Sequence, residues 1–560
     1  DTVAPAILKL TGGLYNTDPA IFVYSPLRTY AAGGGFFGIQ AIPPVINTRT
    51  NTEYFDLQLA VNEAEPSDTL KFQVDYTIPA TVTINKALTL NTNGKTISRT
   101  VAFTPDSANN SILVSPGGDV TITGGGTITA TSGTAIRIEG NETTLAKVTL
   151  GDATLYAPSF SVAIVGNTTA SYQTTAYKSL FVMTGGHTNE SVIVQGNGAE
   201  ANITGGTLTG APPVMGNGNA SSGGTKITIG GTAVVGDPTL QWVAIYHPQE
   251  GLLTVNGGTI QGNNGIEMKA GDLVITGGII KGWGAKVACA DPTATGNGST
   301  NTGDAILIFN RNGYGVGQTM DVTISGTPEI TSTSCYALRE YTLTGETSRL
   351  GVATITGGTF TGLPAAVSFT TNTDANLDLL PGSWYNTNPA AFVYVPYGTY
   401  LDTTKDPDMY GIRLLPTISG LVTMQGRPTV RAGVPLALNA TAYTDTSDDM
   451  TEVNYAFIGV ELGTYTFTTD QPRYLNITAT IVIDSLTNRS LPLLRLLGGD
   501  VNQDHQIELM DANAVGGAWG STVDSTANIN FDGIVNIQDL ALVGGNYGQT
   551  SANAYVDWLK

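Results

Sequence analysis

One short phrase recurs between about residues 50 and 380 and restricts the chain to few folds. It reads apolar–Thr–apolar–Thr–Gly–Gly–Thr–apolar, complete or in part, at residues 120–124, 203–208, 229–232, 253–260, 275–280 and 355–360. From residue 205 the glycine pairs advance by about 25, 27 and 20 residues. A spacing of this size is typical of a solenoid.

Each phrase alternates apolar residues with threonine, so one face of a short strand can enter a core while the other meets water. The glycine pair permits a tight corner where no side chain fits. Parallel stacking of such strands buries a continuous apolar column, whose open ends need caps. The pattern resembles the right-handed parallel β-helix family of pectate lyases, surface adhesins and tail spikes, and residues 80–98 look like its first coils. This resemblance implies a mainly β fold, with the β-helix at residues 46–378.

A second repeat brackets this region, because residues 14–30 and 384–400 are identical at eleven of seventeen aligned positions. The second copy is expected to close the β-helix as a cap at residues 379–416. The first copy, in a β segment at residues 1–45, leaves two alternatives open. The copies are homologous end caps, or the first copy completes the open end of a neighbouring subunit. The latter predicts head-to-tail assembly into a filament, since a contact that does not close on itself produces a fibre.

A motif occurs twice within the last sixty or so residues, at a spacing of 28 residues. Each copy presents candidate ligands at positions 1, 3, 5, 7, 9 and 12 of a loop. Calcium takes six to eight oxygen ligands, so these loops suit it. The candidate ligands are Asp500, Asn502, Asp504, Gln506, Glu508 and Asp511 in the first loop, and Asn528, Asn530, Asp532, Ile534, Asn536 and Asp539 in the second.

The duplication continues beyond the loops, since residues 514–520 are similar in sequence to residues 542–548. It resembles the dockerin family, whose paired calcium-binding F-hand motifs dock extracellular proteins of bacteria and archaea onto cohesin modules. The resemblance implies a small α module at residues 498–560, calcium as its cofactor and a cohesin-like partner.

The two loops depart from the family pattern in ways that carry predictions. Position 6 is His505 in the first loop and Gly533 in the second, where glycine eases the sharp turn. The first loop holds four carboxylates and the second only two, so the second should bind the metal more weakly. Positions 10 and 11, where cellulosomal dockerins often carry small hydroxylated residues, are Leu509, Met510, Ile537 and Gln538. The docking surface is therefore expected to have another specificity, or to be satisfied inside its own chain.

Residues 417–497 alternate in strand-like fashion and resemble the carboxypeptidase-regulatory-like, prealbumin-type β-sandwich, a noncatalytic module. No flexible Pro- or Ser-rich linker separates this segment from Asp500. The sandwich and the calcium module are therefore expected to pack as one unit.

Composition excludes several classes of partner. The formal net charge of −20 argues against nucleic acid, whose phosphates require basic patches. No apolar run reaches the length needed to span a bilayer. The first residues lack a basic and apolar signal, so the chain is expected to be a mature, secreted product located outside the cell or at its surface.

Cys289 and Cys335 are 46 residues apart, about two solenoid turns, so they could face each other across stacked coils. A disulfide and a pair of buried thiols both remain open. A disulfide would suit an extracellular location.

Four solenoid segments, at residues 135–139, 244–247, 265–269 and 337–340, look like the same strand in successive coils. Their register would place Arg137, Tyr246, Glu267 and Arg339 in one ladder on an outer face. Such a ladder could bind acidic sugars, with tyrosine as a stacking platform. A plain solvated polar stripe is the preferred interpretation.

Signatures of catalysis are missing: the coils show no dense Asp cluster, and the chain has no nucleophile elbow, zinc-protease motif or phosphate loop. The sequence therefore predicts no catalytic residue and an extracellular structural or adhesive protein, partnered by copies of itself or a cohesin-like module. A calcium-dependent protein that binds acidic polysaccharide, or a polysaccharide lyase of a cellulosome-like system, is the alternative.

Overall fold

The structure, a computed structural model, describes residues 9–99, 110–169, 174–283, 289–292, 302–311, 313–315, 318–370, 376–427, 434–439, 441–444, 453–522 and 525–560. The chain forms two compact units, Asp1–Phe392 with Leu401–Gly411, and Val393–Tyr400 with Ile412–Lys560. The five segment boundaries expected from the sequence stay predictions. The mainly β class is confirmed, and the long sheets are parallel, consistent with a β-helix-like fold.

Two long sheets run through the first unit, and we call their parallel strands between residues 68 and 385 the parallel stack. The larger sheet comprises Val45–Asn47, Thr52–Tyr54, Asp68–Phe72, Tyr76–Thr77, Ala87–Asn91, Thr96–Arg99, Asp119–Thr123, Thr127–Ala130, Ala146–Leu150, Thr154–Tyr156, Ser179–Thr188, Ala199–Leu208, Thr225–Ile229, Val234–Val235, Gly251–Gly262, Asp272–Gly282, Met320–Ile324, Glu329–Ser332, Leu350–Ile355, Gly358–Thr361, Leu377–Leu379, Ser383–Tyr385, Tyr397–Asp402 and Met409–Leu414. The smaller sheet comprises Val82–Ile84, Asn110–Val114, Thr134–Glu139, Phe160–Val165, Val192–Gln195, Val214–Met215, Val243–His247, Asn264–Met268, Ile306–Asn310, Leu338–Thr342 and Val367–Phe369.

Register aligns the apolar residues of the recurring phrase into buried columns. Leu253 pairs with Ile227 on one side and Leu273 on the other, and Val255 pairs with Ile275. All five side chains are buried, while the alternate threonines lie on the outer surface of the strand. Because each strand places its apolar residues directly above those of the strand before, the core is continuous along the stack.

The glycine pair makes the corner of the larger sheet. Gly278 has φ +93, in the left-handed region, and a Cβ there would lie 2.7 Å from the carbonyl oxygen of Gly257 in the preceding coil. A side chain would therefore be strained by the backbone conformation and would also collide with the coil below.

Helix α1 (Leu57–Glu63) packs at the start of the stack, against Val45–Asn47 and Val82–Ile84. The Asp56 carboxylate caps it by accepting a 2.7 Å hydrogen bond from the Leu59 amide. Leu57 and Val61 are buried beneath it. The apolar face of α1 thus covers the first coil.

The two copies of the sequence repeat fold alike but pair with different strands. In each, a short strand pairs antiparallel with the second strand of a hairpin: Leu14–Tyr15 with Phe36–Ala41, and Ser383–Tyr385 with Met409–Leu414. The second copy also pairs in parallel with Gly358–Thr361 and so closes the stack. The first copy, with Leu27–Gly33, forms a three-stranded sheet of its own.

The second unit contains two four-stranded sheets and a two-stranded ribbon. The first sheet comprises Ile418–Met424, Val453–Phe457, Arg489–Ser490 and Leu494–Leu496. The second comprises Pro435–Leu438, Thr441–Thr444, Gly463–Thr469 and Ile477–Ile483. The ribbon pairs Arg473–Tyr474 with Gly498–Asp500. Two helices follow, α2 (Leu509–Gly517) and α3 (Ile537–Gly545). Short 3-10 turns elsewhere in the chain lie at Ala20–Phe22, Ala220–Ser222 and Ala390–Phe392. Among the described helices none is long and apolar enough to cross a membrane.

One continuous core joins the sheets of the second unit to its helices. Phe467 and Leu496 from the strands belong to the same buried cluster as Ile507, Val515 and Val543 from the loop and helix region. The Trp558 ring lies 5.0 Å from that of Phe467, and its indole N–H donates to the Pro492 carbonyl at 3.0 Å. These contacts tie the C-terminal residues to the strands that precede them.

The column packing predicts the cost of a cavity in the stack. Replacing Ile275 with alanine should lower the free energy of unfolding by about 2–5 kcal/mol, because the side chain is fully buried between neighbouring coils. Val352→Ala, at an exposed position, is the matched control and should change it by less than about 0.5 kcal/mol. Denaturant unfolding of the full chain measures both, and equal effects would contradict the continuous core.

Candidate functional sites

The smaller sheet brings the four predicted ladder residues into one row. Pairing runs from Arg137 through Ala163, Ile193 and Met215 to Tyr246, then through Glu267 and Leu307 to Arg339. We call these eight residues the outer row, because their neighbours on each strand point into the core.

The outer row is not a solvated stripe, and that interpretation of the sequence is wrong. Tyr246, Glu267 and Arg339 are buried, and Arg137 is partly exposed. Segments between strands cover the row: the Tyr314 side chain lies over its middle, and residues 290–291 lie over Arg339. Strand periodicity cannot reveal this cover, because the covering residues are remote in sequence.

Beneath Tyr314 lies a fully buried ion pair. The Lys269 ammonium is 2.9 Å from the Glu267 carboxylate, and both side chains have no solvent exposure. The ammonium also lies 4.9, 5.4 and 5.2 Å from the ring centroids of Tyr246, Phe309 and Tyr314. Aromatic faces stabilise a cation that has lost its water, so this cage offsets part of the desolvation cost.

Arg349 holds the covering segment in place. Its guanidinium donates hydrogen bonds to the carbonyls of Tyr314, of Gly315 at 2.8 Å, of Arg311 at 3.2 Å and of Lys269 at 2.5 Å. One side chain therefore joins Arg311, Tyr314 and Gly315 to Lys269, which follows the strand Asn264–Met268.

The Arg339 end of the row is closed by a disulfide. Cys289 and Cys335 are bonded, with their Cα atoms 4.8 Å apart. This bond anchors the segment that follows Cys289. In that segment the Ala290 carbonyl accepts a 2.9 Å hydrogen bond from Arg339, and Asp291 forms an ion pair with the same guanidinium. Burial raises the pKa of the nearby Asp304 carboxyl to about 6.

These residues also form a candidate metal cluster by distance alone. Among the described His, Cys, Asp and Glu side chains, Cys289, Asp304 and Cys335 are the group of three whose possible ligand atoms lie within 4.8 Å of one another. Both sulfurs are held in the disulfide, and the Arg339 guanidinium is 3.9 Å from Asp304. An oxidised sulfur pair beside a cation does not suit a metal ion.

The apolar part of the outer row at Ile193 and Met215 borders a pocket of about 650 Å³. Ile193, Met215 and Phe160 line it with the aromatic side chains of Trp242, Tyr246 and Tyr314, and Arg311 adds a positive charge. The lining residues that the structure describes include no Asp or Glu. Sequence analysis missed this pocket, although aligning the strands between Arg137 and Tyr246 would have shown three apolar residues on an outer face.

The first predicted calcium loop is tied together by its last carboxylate. Asp511 accepts hydrogen bonds from the amides of Val501 (2.8 Å), Asn502 (3.1 Å) and Glu508 (2.9 Å). Asp500 is buried at the base of the loop, and its pKa is raised to about 6 by burial, then by the negative charges of Asp511 and Asp504. His505 takes φ 68, the left-handed conformation that glycine at this position would adopt without strain.

The second loop repeats this geometry with fewer charges. Asp539 accepts hydrogen bonds from Ile529, Asn530 and Asn536 at 2.6, 3.1 and 3.0 Å. The Asp532 carboxylate accepts from the side-chain amides of Asn530 and Asn536. Two arginines lie against the ring of its neighbour Phe531, with the Arg427 and Arg473 guanidinium carbons 3.6 and 4.3 Å from the ring centroid.

Both loops have donor chemistry that fits a hard cation. In the first, the buried Asp500 shares its surroundings with two further carboxylates; in the second, the side-chain oxygen of Asn528 is buried without a hydrogen-bond partner. The candidate ligands Gln506 and Ile534 follow in the turn of each loop, their amides bonded to Asp504 and Asp532 at 3.0 Å. The second loop has fewer carboxylates and adjacent arginines, so the expectation of weaker binding there stays a prediction.

The buried ion pair generates a prediction that a double-mutant cycle can test. Lys269→Met leaves the Glu267 carboxylate buried without its cation, so the free energy of unfolding should fall by about 3–5 kcal/mol. The double variant Glu267→Gln/Lys269→Met should be more stable than Lys269→Met alone, because no charge remains uncompensated. Denaturant unfolding of the wild type, both single variants Lys269→Met and Glu267→Gln, and the double variant measures the cycle, and additive losses would contradict direct coupling.

His247 generates a prediction about pH. Its ring is buried in the core beside the outer row, with Nδ1 3.0 Å from the Ala270 carbonyl, and burial lowers its pKa from 6.5 to about 4. Below about pH 6.5 the histidine is protonated in the unfolded chain but stays neutral in the folded chain. The free energy of unfolding therefore falls as the pH drops from about 6.5 towards 4.

The measurement compares the wild type with His247→Gln. From pH 7 to pH 5 the wild type should lose about 2 kcal/mol more than the variant, because other titrating groups such as Asp304 contribute equally to both. Parallel stability curves over this range would show that His247 titrates normally in the fold.

No protein-family model and no curated protein matches the sequence. Solved structures give weak matches. Crystal structures of two mutants of a type II cohesin–X–dockerin complex from Acetivibrio cellulolyticus, one altered at the N-terminal interface and one at the C-terminal interface, are each 21% identical to this chain. Each match covers 25% of this chain and 99% of that chain, with TM-scores of 0.22 and 0.21. Similarity at this level carries no conclusion about function.

Proposed function

We propose that this protein is an extracellular, cell-surface structural and adhesive protein. In this proposal a right-handed parallel β-helix forms a rigid body, and a prealbumin-type β-sandwich carries a dockerin-like module stabilised by calcium. Its partners are copies of the same chain or a cohesin-like module. The proposal assigns no catalytic residue.

The observation that carries the proposal is how the outer row uses its charged groups. Glu267 is paired with Lys269, and Arg339 is held by a carbonyl and two carboxylates. Charged side chains that a catalytic groove would present to substrate are here engaged in internal contacts that attach covering segments to the stack. Such contacts favour a stable surface over a reactive cleft.

The calcium part of the proposal is supported by the paired loops. Asp500, Asp504 and Glu508 with Asp511 would hold the ion in the first loop, together with Asn502 and Gln506; the second loop would use Asn528, Asn530, Asp532, Asn536 and Asp539 with Ile534. Calcium supplies positive charge that offsets the repulsion among these oxygens. Because α2, α3 and the sandwich strands share one core, stabilising the loops would stabilise the whole C-terminal region.

A docking role is supported by apolar residues that the two halves of the module expose at equivalent positions. Leu509 and Ile537 begin α2 and α3, and Trp519 and Tyr547 follow them; all four are more than half exposed. Exposed apolar residues in duplicated positions are suited to a protein partner.

Binding of acidic polysaccharide is the second candidate, and the pocket on the outer row favours it. Trp242 and Tyr314 could stack against a sugar ring while Arg311 pairs with a carboxylate. Equilibrium dialysis of the full chain against short polyuronate oligosaccharides tests this candidate, with Trp242→Ala as the variant. Saturable binding that this variant weakens would support it.

Calcium binding can be tested on the full chain by calorimetry and thermal unfolding. Titration should reveal a tighter and a weaker site, and calcium at about 100 times its dissociation constant should stabilise the C-terminal region by about 3 kcal/mol. Asp504→Asn should weaken the tighter site and Asp532→Asn the weaker one. A melting profile that chelator leaves unchanged would contradict the calcium proposal.

Electron microscopy of the native material tests the assembly part separately. Filaments or surface-attached rods would support a structural role, while soluble monomers at high concentration, together with release of unsaturated sugars from polyuronate, would favour the alternative.

A further inference from the structure

The second copy of the repeat shows what this motif binds. Tyr385 is fully buried, and its ring stacks on Phe360 with centroids 5.1 Å apart and planes 15° apart. Its strand pairs in parallel with Gly358–Thr361, with Trp384 opposite Thr359. The motif is thus the final strand laid on a parallel coil.

Two polar residues that follow the strand bind the backbone of the same coil. The Asn386 side chain accepts from the Gly362 amide at 3.1 Å and donates to the Gly362 carbonyl at 2.9 Å. The Thr387 hydroxyl oxygen accepts from the Ala366 amide at 2.8 Å. Asn386 and Thr387 therefore each form specific hydrogen bonds with the backbone of the coil that the motif covers.

The first copy keeps these residues in the same order, as Tyr15, Asn16 and Thr17. Its strand pairs on one edge with Phe36–Ala41, and no described strand pairs with its other edge. Leu14, at the position of Trp384, is 65% exposed, and Asn16 and Thr17 are exposed where their counterparts are partly buried. Ile21 and Phe22 extend this exposed surface.

We infer that the first copy is a docking surface for the last coil of a parallel stack on another polypeptide. The incoming strand pairs with the edge of Leu14–Tyr15 that no described strand occupies, and its aromatic residue stacks on Tyr15. Asn16 and Thr17 bind the backbone that follows. This inference rests on the proposed structural role and adds a partner to those named there, a polypeptide whose parallel stack lacks its own closing motif.

The partner is a coil that lacks its own closing motif. In a second copy of this chain, the corresponding edge at Gly358–Thr361 is already paired with Ser383–Tyr385, and the first coil is covered by α1. Neither end of a copy offers the strand that the surface requires. The recognised chemistry is therefore an uncapped strand of the phrase Gly–Thr–aromatic, in parallel register.

A disulfide-trapping experiment on the full chain tests the inference. The described part of the chain has no free cysteine, so Leu14→Cys introduces a unique reactive thiol. The probe is a synthetic peptide of residues 350–366 with Thr359→Cys, because Thr359 is opposite Trp384 in the second copy. Under mild oxidation this peptide should form the mixed disulfide at least tenfold faster than the same peptide with Thr356→Cys.

The double variant Asn16→Ala/Thr17→Val, in the Leu14→Cys background, should lower the trapping rate of the Thr359→Cys peptide about tenfold, since several hydrogen bonds to the peptide backbone are lost. The matched change Asn386→Ala/Thr387→Val should leave trapping unchanged, because that copy is already occupied. Equal trapping of the two peptides, or no effect of the first double variant, would overturn the inference.

Sedimentation of the chain without peptide identifies the alternative occupant. Self-association that Asn16→Ala/Thr17→Val abolishes would assign the surface to a second copy and overturn the partner named here. Failure of calcium binding or absence of filaments would contradict the proposed function without altering the trapping result, so the two failures are distinguishable.

Discussion

Strand-over-strand register in the parallel stack is the constraint on which the other features depend. Each coil places its apolar residues directly above those of the coil before, as Ile227, Leu253 and Leu273 show. The same register that buries these columns also aligns the alternate residues outside. The outer row therefore exists because the core exists, and any residue placed on it acquires neighbours from coils far away in sequence.

The outer row shows how a regular scaffold acquires irregular features. At Ile193 and Met215 the row borders a pocket; at Glu267 and Arg339, segments between strands fold over it. A buried charge is costly unless paired: Glu267 is paired with Lys269 inside an aromatic cage, and Arg339 donates to a carbonyl on the disulfide-anchored segment. Arg349 holds one covering segment through its backbone carbonyls. The polar contacts thereby specify where the covering segments attach.

The C-terminal region uses the opposite strategy, because small modules cannot build separate large cores. Its strands and helices share one buried cluster, and the guanidinium groups of Arg427 and Arg473 both lie against the Phe531 ring. The loops are closed by Asp511 and Asp539 through backbone hydrogen bonds. Metal binding in such loops would act on a preorganised backbone, so its free energy would add to the stability of the strands as well.

Much of this architecture can be predicted from the sequence because it depends on the regular spacing of apolar residues and glycines along the chain. The threonine-rich phrase determined the strands and glycine corners, and the spacing of the segments around Tyr246 and Glu267 determined their common row. The paired loops and the duplicated closing motif are likewise visible as repeats. Tertiary structure alone decided that the row is covered and that Cys289 bonds to Cys335. It also decided that the second closing motif lies on a coil, while the first has one edge with which no described strand pairs. These outcomes depend on contacts between segments remote in sequence, whose geometry is set by the completed stack and leaves no periodic trace in the chain.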